Sequence, residues 1–307
     1  MTNEQLVTVN SWWKVLLKVL LYFSVFAISL AVPLIMVRVA KLPDTPIIGA
    51  TPFTYFFYFV VVSVPLFLGL SCLAIRWQKL SFRQIFLVRP TYTTLFYGLL
   101  GLVLPVIILS FYLLSGMAEH IELTTPFSSK DFVEIFAISL IPAISGSILE
   151  EITFRGLVFQ ELEKKWGATV AILTPSIIFA LIHVRNIELV TIIAILFTFA
   201  VGVLCGLIVY YTRNIWNSIL LHFCWNIIFV GRVLRFNYND PQLSDTPSLI
   251  NFNITTSNTL FTGGFPGVEY AFPSLVVILI VIVGIIAFYR NNVMSPKSRQ
   301  FSEKNCV

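Results

Sequence analysis

The feature that most constrains this chain is a succession of apolar runs, each long enough to cross a bilayer and each set off by a polar or basic stretch. A spanning helix needs about 20 mostly apolar residues, and about eight segments qualify on that measure. They are 19–37, 53–75, 94–115, 132–152, 167–184, 187–211, 214–233 and 272–289, with polar residues interrupting the fourth and fifth. Hydrophobic residues make up 57% of the 307-residue chain and charged residues only 11%. A water-soluble domain of this size cannot hide so much apolar surface, so the expected fold is all-α and polytopic, with lipid as its main solvent.

The first run reads as a retained helix rather than a cleaved leader. Lys18 abuts it, it is long enough to span, and Arg38 and Lys41 follow without a small-residue cleavage site. The net charge of +5 is informative through its placement rather than its sum. With eight spans, Lys14, Lys18, Arg76, Lys79, Arg83, Arg89, Lys164, Lys165, Arg213 and Arg290 fall on one side, with the basic tail. The smaller set Arg38, Lys41, Lys130, Arg185, Arg232 and Arg235 falls on the other. That asymmetry places both termini in the cytoplasm and gives no reason to expect nucleic acid as a partner. The cysteines form no CxxC pair and no disulfide framework, and Cys306, being next to last, does not make a prenylation signal.

One helical domain without internal repeats is expected, organised as a cytoplasmic N-terminal segment 1–18 and N-terminal transmembrane helices 19–128. A core 129–233 carries the polar intramembrane residues, 234–271 forms an extracytoplasmic loop, and 272–307 supplies the last helix and a cytoplasmic tail. Gly202 and Gly206 form a GxxxG that lets another helix approach. The run Ser145-Gly146-Ser147 leaves room for a neighbouring helix or for substrate backbone. Thr262-Gly263-Gly264 signals a turn.

Ionisable groups inside hydrocarbon cost roughly 2.5–3.5 kcal/mol each on insertion scales, so those that remain there ask for a reason. Glu150, Glu151 and Arg155 stand in the fourth segment. Glu151 and Arg155 are four apart and can pair on a helix, which leaves Glu150, about 100° around it, without a cation of its own. The bland alternative, a helix that simply ends near Thr153, is weakened by the apolar Leu157, Val158 and Phe159 beyond it. Of the three histidines, His120 sits in a polar loop, whereas His183 ends an apolar run and His222 lies inside one, with Asn226 a turn later on the same face. In lipid such groups need one another or water, so one buried pocket holding Glu, His, His and Asn is the natural arrangement.

A carboxylate and an imidazole can hold a water and take its proton, while a second imidazole and a carboxamide donate to the oxyanion formed at an amide carbonyl. The same donors also suit a catalytic zinc. A peptide-binding regulator, and a proton-coupled transporter whose buried Glu and His relay protons, are readings from other classes. The absence of internal repeats counts mildly against the transporter.

The pattern resembles the CPBP intramembrane proteases, which include the CAAX-prenyl endopeptidases and bacteriocin self-immunity proteins. Three motifs carry the resemblance, over roughly residues 130–230: EExxxR as Glu150 to Arg155, FxxxH as Phe179 to His183, and HxxxN as His222 to Asn226. The resemblance implies an endopeptidase acting on a membrane-associated or prenylated protein or peptide. In it Glu150 would activate water with His183, and His222 and Asn226 would stabilise the oxyanion. Glu151 would belong to the same catalytic set, Arg155 would support it and Phe179 would shape the pocket. Members are often described as metalloproteases, and a divalent metal such as zinc, if used, would fall to Glu150, His183 and His222. An immunity or sensor-regulating protein that binds a peptide in the same pocket is the alternative. The drawn spans put Glu150 in the inner half of the fourth helix and His183 at the outer end of the fifth. Either the fifth helix starts later, then, or the fourth is long and tilted.

Overall fold

The computed structural model describes residues 12–39, 57–121, 128–184, 189–231, 233–237, 248–264 and 267–293. Helix α1 covers Trp12–Val39. A π-helical turn, Phe57–Ser63, runs into α2, Val64–Trp77. The basic connection that follows contains a 3-10 turn, Phe82–Ile85, closed at its start by a capping box between Ser81 and Gln84. Helix α3 is Tyr92–Leu114 and α4 is Ser129–Ser145. Two π-helical stretches, Gly146–Glu150 and Ile152–Val158, join α4 to α5, Phe159–Ile182. Then come α6, Leu189–Thr212, and α7, Ile215–Ile228. After the one-turn α8, Thr259–Thr262, and a 3-10 turn, Val268–Tyr270, the last helix is α9, Phe272–Val293.

The polytopic all-α expectation holds, but the count of eight does not. Among the described residues six helices are long and apolar enough to cross a membrane: Trp12–Met36, Phe59–Trp77, Tyr92–Leu114, Asp131–Ile182, Ile192–Thr212 and Phe272–Asn291. Two causes account for the difference. The fourth and fifth expected spans fall in one apolar run of 52 residues, Asp131–Ile182, which counts once although its helical geometry breaks at Gly167, where the fifth span was expected to begin. Gly167 has φ 83°, a conformation that residues with a Cβ rarely adopt. The seventh expected span, α7, has only 14 residues. At 1.5 Å per residue it is roughly 21 Å long, short of a hydrocarbon layer of about 30 Å. Asn214 caps its start by accepting from Trp216 N at 3.1 Å.

Ion pairs gather one end of the bundle. Lys18 Nζ lies 2.9 Å from both oxygens of Glu161, and Arg213 reaches Glu163 at 2.7 Å. The opposite end carries a small sheet in the order β1-β3-β2, built from Ala118–Ile121, Ile250–Ile254 and Leu234–Asn237. Strand β1 pairs antiparallel and β2 parallel with β3. The stretch expected as a long loop thus holds two strands, whose aromatic residues pack inward: buried Phe252 stacks on half-buried Phe236, and Phe236 packs on Tyr112 of α3.

The expected GxxxG contact is present. A Cβ on Gly202 would stand 2.8 Å from Ser176 Cβ, and one on Gly206 3.3 Å from Ile172 Cγ2, so α6 lies against α5 at backbone range. Leu95, Phe96 and Leu99 on α3 and Ile280, Val283 and Phe288 on α9 face outward, as lipid-contacting residues do.

Candidate active site

The two π-helical stretches hold the EExxxR motif. Widened turns of this kind recur at functional sites because they re-aim side chains that a regular helix would send elsewhere. Here Glu150 and Glu151 take different surroundings. Glu151 is fully buried and its Oε1 accepts from Arg155 Nη1 at 3.0 Å, the i,i+4 pairing expected from spacing. The same oxygen accepts from His222 Nδ1, also at 3.0 Å. Arg155, equally buried, donates to the carbonyl of Gly202 at 3.3 Å and lies over the rings of Phe179 and Phe154. A buried guanidinium is tolerable only with this degree of compensation.

Glu150 is half-buried and faces a cavity of about 320 Å³. His183, His222 and Asn226 line that same cavity, together with Phe179, Trp225 and Glu269. His222 Nε2 lies 3.9 Å from Glu150 Oε2, so the imidazole stands between the two carboxylates of the motif. His183 binds the Phe179 carbonyl through Nδ1 at 2.7 Å and packs on the Phe179 ring, leaving Nε2 as its free nitrogen. Gly146 makes room for Asn226: a Cβ there would stand 3.1 Å from Asn226 Nδ2. The small-residue run therefore serves the approach of α7.

Glu150, His183, His222 and Asn226 therefore share one cavity, with Phe179 in its wall, whereas Glu151 and Arg155 lie behind it and hold His222. The offset anticipated from the drawn spans is absent: helical geometry breaks at Gly167, about midway between Glu150 and His183, and both residues line the one cavity. His120 is elsewhere, on β1 against Phe252. Among the described residues no group of three or more His, Cys, Asp or Glu side chains is arranged to hold a metal ion. Each of His183 and His222 gives Nδ1 to a protein oxygen and keeps Nε2, and His222 Nε2 stands 3.9 Å from Glu150 Oε2.

Sequence reasoning missed Glu269 and Trp225. Trp225 was hidden by its aromatic neighbours, and Glu269, just before the last span, reads in sequence as an ordinary interfacial acid.

Residues 132–228 match the family model described as type II CAAX prenyl endopeptidase, Rce1-like. No curated protein matches the chain. The matched segment contains all three motifs, with Glu150, Phe179, His183, His222 and Asn226 of the cavity, whereas Glu269 lies outside it. On that match and its apolar helices, the chain is a multi-pass membrane protein whose residues 132–228 are similar to the Rce1-like type II CAAX prenyl endopeptidases.

Proposed function

We propose that the protein hydrolyses a peptide bond in a membrane-associated or prenylated protein or peptide, using Glu150 to activate water. The observation that carries this reading is the division of labour between adjacent carboxylates. Glu151 is committed to Arg155 and His222, while Glu150 faces the cavity with no Lys or Arg paired to it among the described residues. Glu150 takes the proton of a water bound between itself and His183, and returns it to the leaving amine. His222, with its Nδ1–H given to Glu151, presents Nε2 to the cavity. Protonated there, it donates with the Asn226 carboxamide to the oxyanion. The orienting carboxylate behind the imidazole plays the part that such groups play in hydrolytic triads.

Both termini are assigned to the cytoplasm, with the β-sheet end outside. The ion pairs Lys18–Glu161 and Arg213–Glu163 support this, because they bring basic connections to one end of the bundle. Reporter fusions at each terminus and within 238–247 test the assignment, and a cytoplasmic signal from the internal fusion would reverse it.

The decisive experiment is proteolysis of membrane-proximal and prenylated peptides by the purified protein. Wild type is compared with Glu150→Gln and His222→Ala, each with and without chelator. Cleavage by wild type that disappears in both variants supports the reading. Cleavage that persists in Glu150→Gln removes Glu150 as the base, and loss on chelation assigns the reaction a metal.

A further inference from the structure

Glu269 lies outside the segment that carries the three motifs, in the 3-10 turn Val268–Tyr270 just before α9, yet it lines the cavity of Glu150, His183, His222 and Asn226. Its position is fixed from several sides. Trp225, the residue before Asn226, donates Nε1–H to Glu269 Oε1 at 2.5 Å. Tyr270 packs its ring on Phe197, which in turn packs on Trp225. Val268 is buried and its carbonyl accepts from Ser274 Oγ at 2.8 Å, which ties the turn to the first turn of α9.

A carboxylate placed this rigidly in a cavity normally has a cation. Among the described residues no Lys or Arg pairs with Glu269, although Lys18, Arg155 and Arg213 each pair with a carboxylate elsewhere. The other ionisable residues lining the cavity are Glu150, His183, His222 and Tyr270, so the cavity carries two carboxylates and no permanent cation. A single hydrogen bond from an indole satisfies one oxygen at most, leaving acceptor capacity directed at whatever enters.

Resting on the protease reading above, we propose that Glu269 is a specificity-determining residue that accepts a hydrogen-bonded ion pair from a Lys or Arg side chain flanking the scissile bond. Trp225 holds the carboxylate in register with Asn226 one residue along α7, so the cation is read at a fixed distance from the site of attack. The same charge repels an acidic residue, or a free C-terminal carboxylate, at that position. Burial raises the Glu269 carboxyl from 4.5 to about 7, with the Trp225 hydrogen bond and the nearby His222 opposing the rise. Recognition of a cation therefore strengthens as pH climbs through neutrality.

The test is a peptide series with Lys, Gln or Glu at each position flanking the cleaved bond, compared by kcat/KM in wild type and Glu269→Gln. Glutamine keeps an acceptor for Trp225 and removes the charge. Wild type is expected to prefer Lys over Gln by roughly ten-fold or more, the scale of a charge-assisted contact. In Glu269→Gln the Lys-to-Gln ratio should fall to about one. A ratio unchanged by Glu269→Gln overturns the proposal. So does a wild type indifferent to Lys, Gln and Glu, which decides the matter even if the variant does not fold. If wild type cleaves nothing, the protease reading fails separately, and binding of the same fluorescent peptides is measured instead. A Lys preference in binding that Glu269→Gln abolishes upholds recognition by Glu269, and equal binding of all three peptides overturns it.

Discussion

His222 donates its Nδ1 hydrogen to Glu151 across 3.0 Å, and Glu151 itself stays behind the cavity wall. One carboxylate of the motif thereby fixes the tautomer and orientation of the histidine that faces the other. Glu151→Ala should cost both activity and stability. The change strands Arg155, whose ion-pair partner among the described residues is Glu151, and breaking a buried pair costs roughly 3–5 kcal/mol. A clear fall in thermal unfolding temperature in detergent, alongside lost cleavage, is the expected result.

Glu150→Gln should behave differently. Glu150 is half-buried and its nearest charged partner, His222 Nε2, is 3.9 Å away, so little folding energy depends on it. Removing a general base typically lowers the rate roughly a hundred- to ten-thousand-fold. Turnover should collapse by that order while the unfolding temperature stays near that of wild type. A variant that unfolds early would refute the separation of roles between the two glutamates.

The α5–α6 contact should be intolerant of volume. A Cβ on Gly202 would meet Ser176 Cβ at 2.8 Å, with backbone close behind, so Gly202→Leu must push the helices apart. Overpacking of this kind costs about 1–3 kcal/mol or more. Gly284→Ala, where nothing lies within 4 Å, is the matched control. Unfolding temperature should drop for the first and hold for the second. Because Arg155 donates to the Gly202 carbonyl, Gly202→Leu should also reduce cleavage.

Stability should carry a pH signature from Glu269. Its folded value, about 7, lies above its ordinary 4.5, so between those values the folded protein holds a proton that the unfolded chain has released. Stability from this group therefore falls as pH rises through that window and levels off above it. The groups facing it are the Trp225 indole and the His222, His183 and Glu150 side chains. Glu269→Gln should flatten that segment of the unfolding-temperature profile relative to wild type. Identical profiles would show that Glu269 ionises freely in the folded state.

The sequence by itself determined that the chain is an all-α membrane protein and which ionisable and polar groups stand out within its apolar segments. Hydrocarbon cannot hydrate an ionisable side chain, so Glu150, Glu151, Arg155, His183, His222 and Asn226 stand out against apolar neighbours without any coordinates. Helix spacing also foretold the Glu151–Arg155 pair. Only the tertiary structure decided which of those groups pair and which face the cavity. The His222–Glu151 bond joins residues 71 positions apart, and no local periodicity encodes which face α7 turns to the π-helical stretch. Span counting fell short at α7, because helix length depends on packing against neighbours as well as on apolar composition, whereas the expected start of the fifth span coincides with the break at Gly167. Glu269 was illegible for the same reason. Its place at the cavity follows from the path of the chain back over Trp225, a long-range contact that leaves no mark on the residues beside it.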